Sequence, residues 1–159
     1  MKELIFVLSN DGKIKLTEEC WNKMKGYMQL SSNSLEAGGV LLGRFIKDSK
    51  NVILDNITVP MIGDKRSRYS FSRRRSMHQR IVDRFWDKSN GTCNYLGEWH
   101  THPEDYPSPS DVDYADWKRK LKEDHFSSRY LYFIIVGLKH TYIWEGDRRS
   151  KRIIKLNKV

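Results

Sequence analysis

His100 and His102 stand two apart behind the apolar run Tyr95-Leu96-Gly97-Glu98-Trp99. On a strand that spacing sends both imidazoles to one face. Downstream, Ser108-Pro109-Ser110-Asp111 reads as a helix start. Ser108 is the N-cap, Pro109 the first helical residue and Asp111 the partner in an Asp variant of the capping box. Asp113 then falls in the first turns of that helix. Two neutral imidazoles from a strand and one carboxylate from the next helix make a three-ligand set for zinc, with the fourth position left to water. A lone histidine on a strand is ordinarily a half-buried polar residue. Two at this spacing, with a short loop, a capped helix and an Asp on its first turns, point instead to one Zn(2+) per chain.

Other zinc hydrolases fit the chain less well. There is no His-Glu-x-x-His helix. A His-x-Glu followed by the Pro-Cys-x-x-Cys of the nucleobase deaminases is also absent. Cys20 and Cys93 are isolated thiols away from the histidines, which argues against a cysteine nucleophile. Thr101 points to the opposite strand face and reads as structural. Glu104, Asp105 and Asp111 read as bystanders, Asp111 being explained by capping. His78, His125 and His140 lack partner spacing and are left outside the site.

His100-Thr101-His102, seven residues, Ser110, two residues and Asp113 resemble the JAMM (JAB/MPN-plus) metalloprotease motif at every fixed position. That family also carries an upstream Glu before a Gly/Leu-rich strand, and Leu35-Glu36-Ala37-Gly38-Gly39-Val40-Leu41-Leu42-Gly43 looks like that segment. Taken alone, Glu36 would be an ordinary surface residue. The resemblance makes it the general base, with His100, His102 and Asp113 as zinc ligands and Ser110 as the oxyanion donor. It implies an α/β fold, a JAB/MPN-like mixed β-sheet flanked by helices. It also implies an isopeptidase or peptidase that removes a ubiquitin-like modifier from a target or processes its C-terminal tail. Within the family, Gly97 to Glu104 with Trp117 further on is most similar to small bacterial JAB proteins of anti-phage, CBASS-type operons. In those the modified protein would be a nucleotide second-messenger synthase. The alternatives are a JAB peptidase that processes a sulfur-carrier protein, and a basic nucleic-acid-binding module.

The elements that must position these residues follow from the pattern. With 159 residues, 38% apolar and 31% charged, the chain reads as a single domain, 1–159, with a polar surface. Leu4-Ile5-Phe6-Val7-Leu8 is too short for a signal-peptide core and no stretch could span a bilayer, so together with the isolated cysteines a cytoplasmic protein is expected. Lys2 to Ser9 reads as a strand turned by Asn10-Asp11-Gly12, with a short return through Ile14 and Leu16. Thr17 caps a helix to about Gln29 with Trp21, Met24 and Met28 on one stripe. A buried strand follows Glu36, and Asn51 to Pro60, alternating through Val52, Leu54, Ile57 and Val59, pairs with it around a bulge near Asn56. Met61 to Phe71 shows no period and reads as a loop. Ser72 would cap a helix with Met77, Ile81 and Phe85 inward. After the metal stretch, Tyr114, Trp117 and Leu121 face inward, Tyr130 to Val136 is a central strand with Thr141 to Trp144 as its hairpin partner, and Ile153 to Leu156 forms a last edge strand.

The formal charge of +9 is concentrated in residues 65–84 and in the tail. Such a balance suits an acidic partner, protein or nucleic acid, although a solvated basic face has the same signature. Arg73, Arg74 and Arg75 are the expected substrate-binding cations.

Overall fold

The computed structural model describes residues 4–159; Lys2, at which the first strand is expected to begin, lies outside them. The elements run β1 (Leu4–Val7), β2 (Lys13–Leu16), α1 (Glu18–Lys25), β3 (Gly38–Phe45), β4 (Val52–Ile57), β5 (Lys65–Ser67), β6 (Ser70–Ser72), α2 (Arg75–Lys88), β7 (Asn94–Thr101), α3 (Asp111–Glu123), β8 (Tyr130–Val136), β9 (Thr141–Asp147), β10 (Ile153–Lys155) and β11 (Asn157–Lys158). Nine strands form a mixed sheet in the order β10-β9-β8-β7-β3-β4-β2-β1-β11, and β5-β6 is a separate hairpin. The β2–β4 and β7–β8 pairs are parallel and the others antiparallel. This is the mixed sheet flanked by helices that the resemblance implies.

Alternation along the strands divides the core. One sheet face carries Leu41, Trp99, Tyr132, Ile134 and Ile143 and is covered by α1 through Cys20 and Met24. The other carries Leu131, Phe133, Ile135 and Trp144 beneath α3, which buries Trp117 and Leu121. Val40 and Leu42 lie on that same face beneath Val82 and Phe85 of α2. Trp117 stacks on Phe133 at 4.7 Å and 13°. Burying Trp117 and Leu121 contributes about 2–3 kcal/mol each, which fixes the helix that carries Asp113.

A bulge in β7 decides which way the histidines point. The β3–β7 register slips between Leu41 and Leu42, which pair with Gly97 and Tyr95 and leave Leu96 unopposed. Gly97 sits at φ +138°, and a Cβ there would fall 1.7 Å from the Tyr132 carbonyl oxygen, so no side chain fits. Leu96 and Trp99 both reach the α1 face, three residues apart. The phase of alternation therefore switches between them, and Glu98 and His100 turn to the α3 face.

Several local expectations shift. Thr17 accepts the Cys20 N–H as expected, but α1 stops at Lys25 with Gly26 as C-cap, so Met28 lies beyond it. The bulge near Asn56 is found, with Asp55 unopposed. The aperiodic Met61–Phe71 stretch holds all but the last residue of the β5–β6 hairpin, whose strands are too short and polar to show a period. α2 starts at Arg75 without a side-chain cap, not at a Ser72 cap. Asp64, from the preceding loop, instead accepts the Arg74 N–H at 2.7 Å. His78 is the buried residue of α2, bonded to Thr58 Oγ1 at 2.6 Å and Asp64 Oδ2 at 2.9 Å, so it is structural as expected. Its stripe continues through Val82 and Phe85 and displaces the expected Met77-Ile81 line. The tail does more than form one edge: β10 pairs with β9 while β11 pairs with β1, so residues 153–158 join both edges of the sheet.

Candidate metal centre and active-site cleft

His100 is in register with Gly38 of β3 and Ile135 of β8, and the His102 N–H donates to the Val136 carbonyl at 3.0 Å just past the strand end. Backbone pairing on both flanks therefore holds the two imidazoles, whose Nε2 atoms lie 3.0 Å apart. Asp113 Oδ2 completes the triangle, 3.4 Å from His100 Nε2 and 3.1 Å from His102 Nε2.

The helix start that supplies Asp113 lies two residues later than the sequence predicts. Ser110, not Ser108, is the N-cap. Its Oγ accepts the Asp113 N–H at 3.1 Å while its own N–H donates to Asp113 Oδ2 at 2.9 Å. Ser108-x-x-Asp111 and Ser110-x-x-Asp113 are both capping-box patterns. The second prevails because the Asp113 carboxylate also meets two imidazoles, so one side chain serves both the helix end and the site.

Glu36 lies in the segment leading to β3, 3% exposed, with Oε1 3.9 Å from His100 Nε2. Its backbone is gripped on both sides: its N–H donates to the Ser67 carbonyl at 2.7 Å, and Arg66 Nε donates to its carbonyl at 2.9 Å. Burial pushes the Glu36 carboxyl up to about 8, with the His102 charge opposing and the Asp113 charge adding. Burial pushes Asp113 up as well, but hydrogen bonds from His100, His102 and Ser110 outweigh it and hold this carboxyl well below the usual range. Burial lowers His100. In His102 the Asp113 and Glu104 contacts outweigh burial and raise it.

The donor set suits a metal ion. Two Nε2 atoms and a carboxylate oxygen converge on one point, and the second nitrogen of His102 is fixed by Glu104, whose Oε1 lies 2.8 Å from Nδ1. A carboxylate on that nitrogen holds the Nδ1–H tautomer and leaves the Nε2 lone pair free to ligate. Glu104, read from sequence as a bystander, thus orients the His102 ring; its place two residues after His102 was the available signal. The ligand atoms of Glu36, His100 and His102 also lie within 4.8 Å of one another, a second three-donor set. Asp113 is the better ligand because it is closer to both imidazoles and is held ionised. Glu36, with its raised affinity for a proton, is the better base.

The centre opens into a cleft of about 530 Å³ lined by β6, the start of α2, β7 and α3. Glu98, two residues before His100 and absent from the sequence-based site, projects into it. Arg73 and Lys120 pair with its carboxylate, Lys120 at 3.1 Å. Lys120 also pairs with Asp116. The alternation that aligns the two histidines reaches Glu98 too, and that was the missed signal. The three arginines separate. Arg73 is largely buried against Glu98, Arg74 is the exposed N-cap of α2, and Arg75 is mostly exposed with its guanidinium 3.1 Å from Asp124.

Residues 26–152 match the family model described as prokaryotic homologs of the JAB domain. The chain belongs to the prokaryotic JAB family. This JAB chain is similar to a protein of Escherichia coli named CD-NTase/cGAS isopeptidase, at 34% identity over 158 residues, 99% of this chain and 96% of the relative. A Pseudomonas aeruginosa protein of the same name is 41% identical over 117 residues, 74% of this chain and 72% of the relative. Among solved structures, that of a Desulfitobacterium hafniense protein has the same fold, with TM-score 0.59 at 20% identity over 88% of this chain and 87% of that one. No helix among the described residues is long and apolar enough to cross a membrane.

Ser110 Oγ caps α3, and the residue lines the cleft. The oxyanion-donor role expected from the sequence can be separated from that cap by substitution. Ser110→Ala should lower stability by about 1 kcal/mol through the lost cap. It should also lower turnover by roughly a hundredfold through the lost donor. Ser110→Asp, measured by urea unfolding and by steady-state kinetics, should recover the first loss and not the second.

Proposed function

We propose that this JAB chain is a zinc-dependent isopeptidase of JAMM type. It would hydrolyse the amide that joins the C-terminal carboxyl of a ubiquitin-like modifier to a lysine or a tail peptide. The observation that carries this reading is the Asp113 carboxylate, capping α3 while standing 3.1–3.4 Å from both imidazole Nε2 atoms, with Glu36 buried beside them. His100, His102 and Asp113 would hold the ion. Bound there, zinc supplies Lewis acidity toward water and the scissile carbonyl. Glu36 accepts the proton of the attacking water and returns it to the leaving amine, for which a proton affinity near neutral pH is suited. The positive ion would draw that affinity down from its metal-free level. Ser110 donates its hydroxyl proton to the oxygen that becomes negative in the tetrahedral state.

The hairpin offers the modifier tail a grip. β6 pairs with β5 on one side and lines the cleft on the other through Ser70, Phe71 and Ser72. An extended tail ending in small residues has few side-chain handles, so adding it to a strand edge holds it by its backbone. In keeping with the names of its relatives, the modified protein would be a CD-NTase, and the setting anti-phage defence.

Incubation of the purified chain and zinc with a modifier joined through its C-terminus to a lysine ε-amine should release both parts, with one water gained across the products by mass spectrometry. Release from neither that conjugate nor a tail-extended modifier would refute the reading.

The exposed arginines would meet acidic surface on the modifier or its target. Arg73 is left intact in the test because its loss would remove one of the two cations that pair with Glu98. Arg74→Glu with Arg75→Gln should raise KM several-fold and flatten its dependence on salt, since such steering is screened over a Debye length of about 8 Å at physiological ionic strength. The kcat should stay within a few-fold. An unchanged KM at low and high salt would make the basic segment only a solvated face.

A further inference from the structure

Thr101 lies between the two histidines in sequence and on the opposite face of the strand, fully buried. Its hydroxyl oxygen accepts the Ala37 N–H at 2.9 Å and its proton goes to Gln29 Oε1, also at 2.9 Å. Gln29 is itself 2% exposed. Its Nε2 donates to the Ser34 carbonyl at 3.3 Å and to the Arg68 carbonyl at 2.7 Å. Two side chains thus join four pieces of chain: the histidine strand, the residue after Glu36, the loop before Glu36, and the β5–β6 turn. The Thr101 N–H closes the circuit by donating to the Ala37 carbonyl at 2.9 Å.

This network has no spare groups. Thr101 donates once and accepts once, and Gln29 uses its carbonyl and both amide protons. A buried polar network satisfied in this way costs little to desolvate and allows one geometry. Packing alone would be served as well by a valine and a methionine. The hydrogen bonds run specifically to the segments that flank Glu36 and to the hairpin that lines the cleft.

We propose that Gln29 and Thr101 are positioning residues for the reaction, setting the Glu36 carboxylate and the β5–β6 hairpin against the strand that carries His100 and His102. This rests on the isopeptidase reading for its kinetic consequence, though not for its structural one. Thr101 acts through Ala37 on the base, so its hydroxyl governs kcat. Gln29 acts in addition through Arg68 on the hairpin, so its amide also governs KM. Displacing a catalytic group by about 1 Å costs on the order of a hundredfold in rate.

The test uses the full chain at saturating zinc with the lysine-linked modifier conjugate as substrate. Thr101→Val should lower kcat by at least about tenfold with KM within about twofold. Thr101→Ser should restore kcat to within a few-fold. Gln29→Met should lower kcat and also raise KM several-fold. Hydrogen exchange needs no substrate. The amides of Glu36 and Ala37 should exchange faster in Thr101→Val and Gln29→Met and recover their protection in Thr101→Ser, while Phe133 and Ile134 of β8 keep theirs. Wild-type kcat and KM in Thr101→Val, or unchanged protection at residues 36–37, would overturn the proposal. Should one variant fail to fold, the other is read in the same way. A wild-type chain that cleaves no conjugate would sink the isopeptidase reading, and the exchange of residues 36–37 would still decide the positioning claim.

Discussion

Glu36→Gln should remove nearly all turnover, by about 10²–10⁴-fold, while the chain keeps its fold and its metal. Gln is isosteric, so the segment held by Ser67 and Arg66 need not move, but it cannot take a proton from water. The same substitution has a stability signature in the metal-free protein. Burial raises the Glu36 carboxyl from its ordinary 4.5 to about 8. A folded-state value above the unfolded one means that the folded protein holds the proton more tightly. The associated stability is fully present below about pH 4.5 and is lost as pH rises through about 8. Within that window wild type should lose up to about 1.4 kcal/mol per pH unit relative to Glu36→Gln. Urea midpoints of both metal-free proteins, taken at about pH 5 and about pH 8, should diverge with wild type the lower at high pH. Near wild-type turnover in Glu36→Gln would mean that the base lies elsewhere, and parallel midpoints would mean that Glu36 titrates as an exposed group.

What the sequence made readable and what it hid divide along a physical line. The His100-His102 spacing was readable because strand alternation is strictly periodic, and Tyr130 to Val136 because its run is buried on both faces. The α3 cap was misplaced because Ser108-x-x-Asp111 and Ser110-x-x-Asp113 satisfy the same local rule. Only the meeting of Asp113 with the imidazoles, a tertiary contact, separates them. The β5–β6 hairpin was hidden because three-residue polar strands carry no hydrophobic period. Glu98 was passed over although it shares the alternation of the histidines, because its use shows only once Arg73 and Lys120 are placed against it. Gln29 and Asp64 were invisible for a related reason. Each acts by hydrogen bonds to residues distant in sequence, and a buried amide or carboxylate looks like a surface one until its partners are placed. Arg73 to Arg75 read as one basic cluster, whereas Glu98 and Asp124 partner two of the three.

His100→Ala with His102→Ala should abolish zinc binding and turnover together, and the choice between the two carboxylates can be read from the same assay. Wild type should carry one zinc per chain and gain about 2.7 kcal/mol of stability at a free zinc concentration of about a hundred times Kd. The double variant should show no zinc and no stabilisation. Two three-donor sets are available, His100 and His102 with Asp113 or with Glu36. Asp113→Asn keeps an oxygen to accept the Ser110 N–H and so preserves the α3 cap, but it removes the ionised ligand. It should therefore weaken zinc without unfolding the helix, whereas Glu36→Gln should leave zinc in place. Metal analysis after dialysis against a chelator, with thermal unfolding before and after zinc is restored, measures each arm. Zinc retained in Asp113→Asn and lost in Glu36→Gln would exchange the two roles. Equal zinc in wild type and the double histidine variant would remove the metal from this cleft altogether.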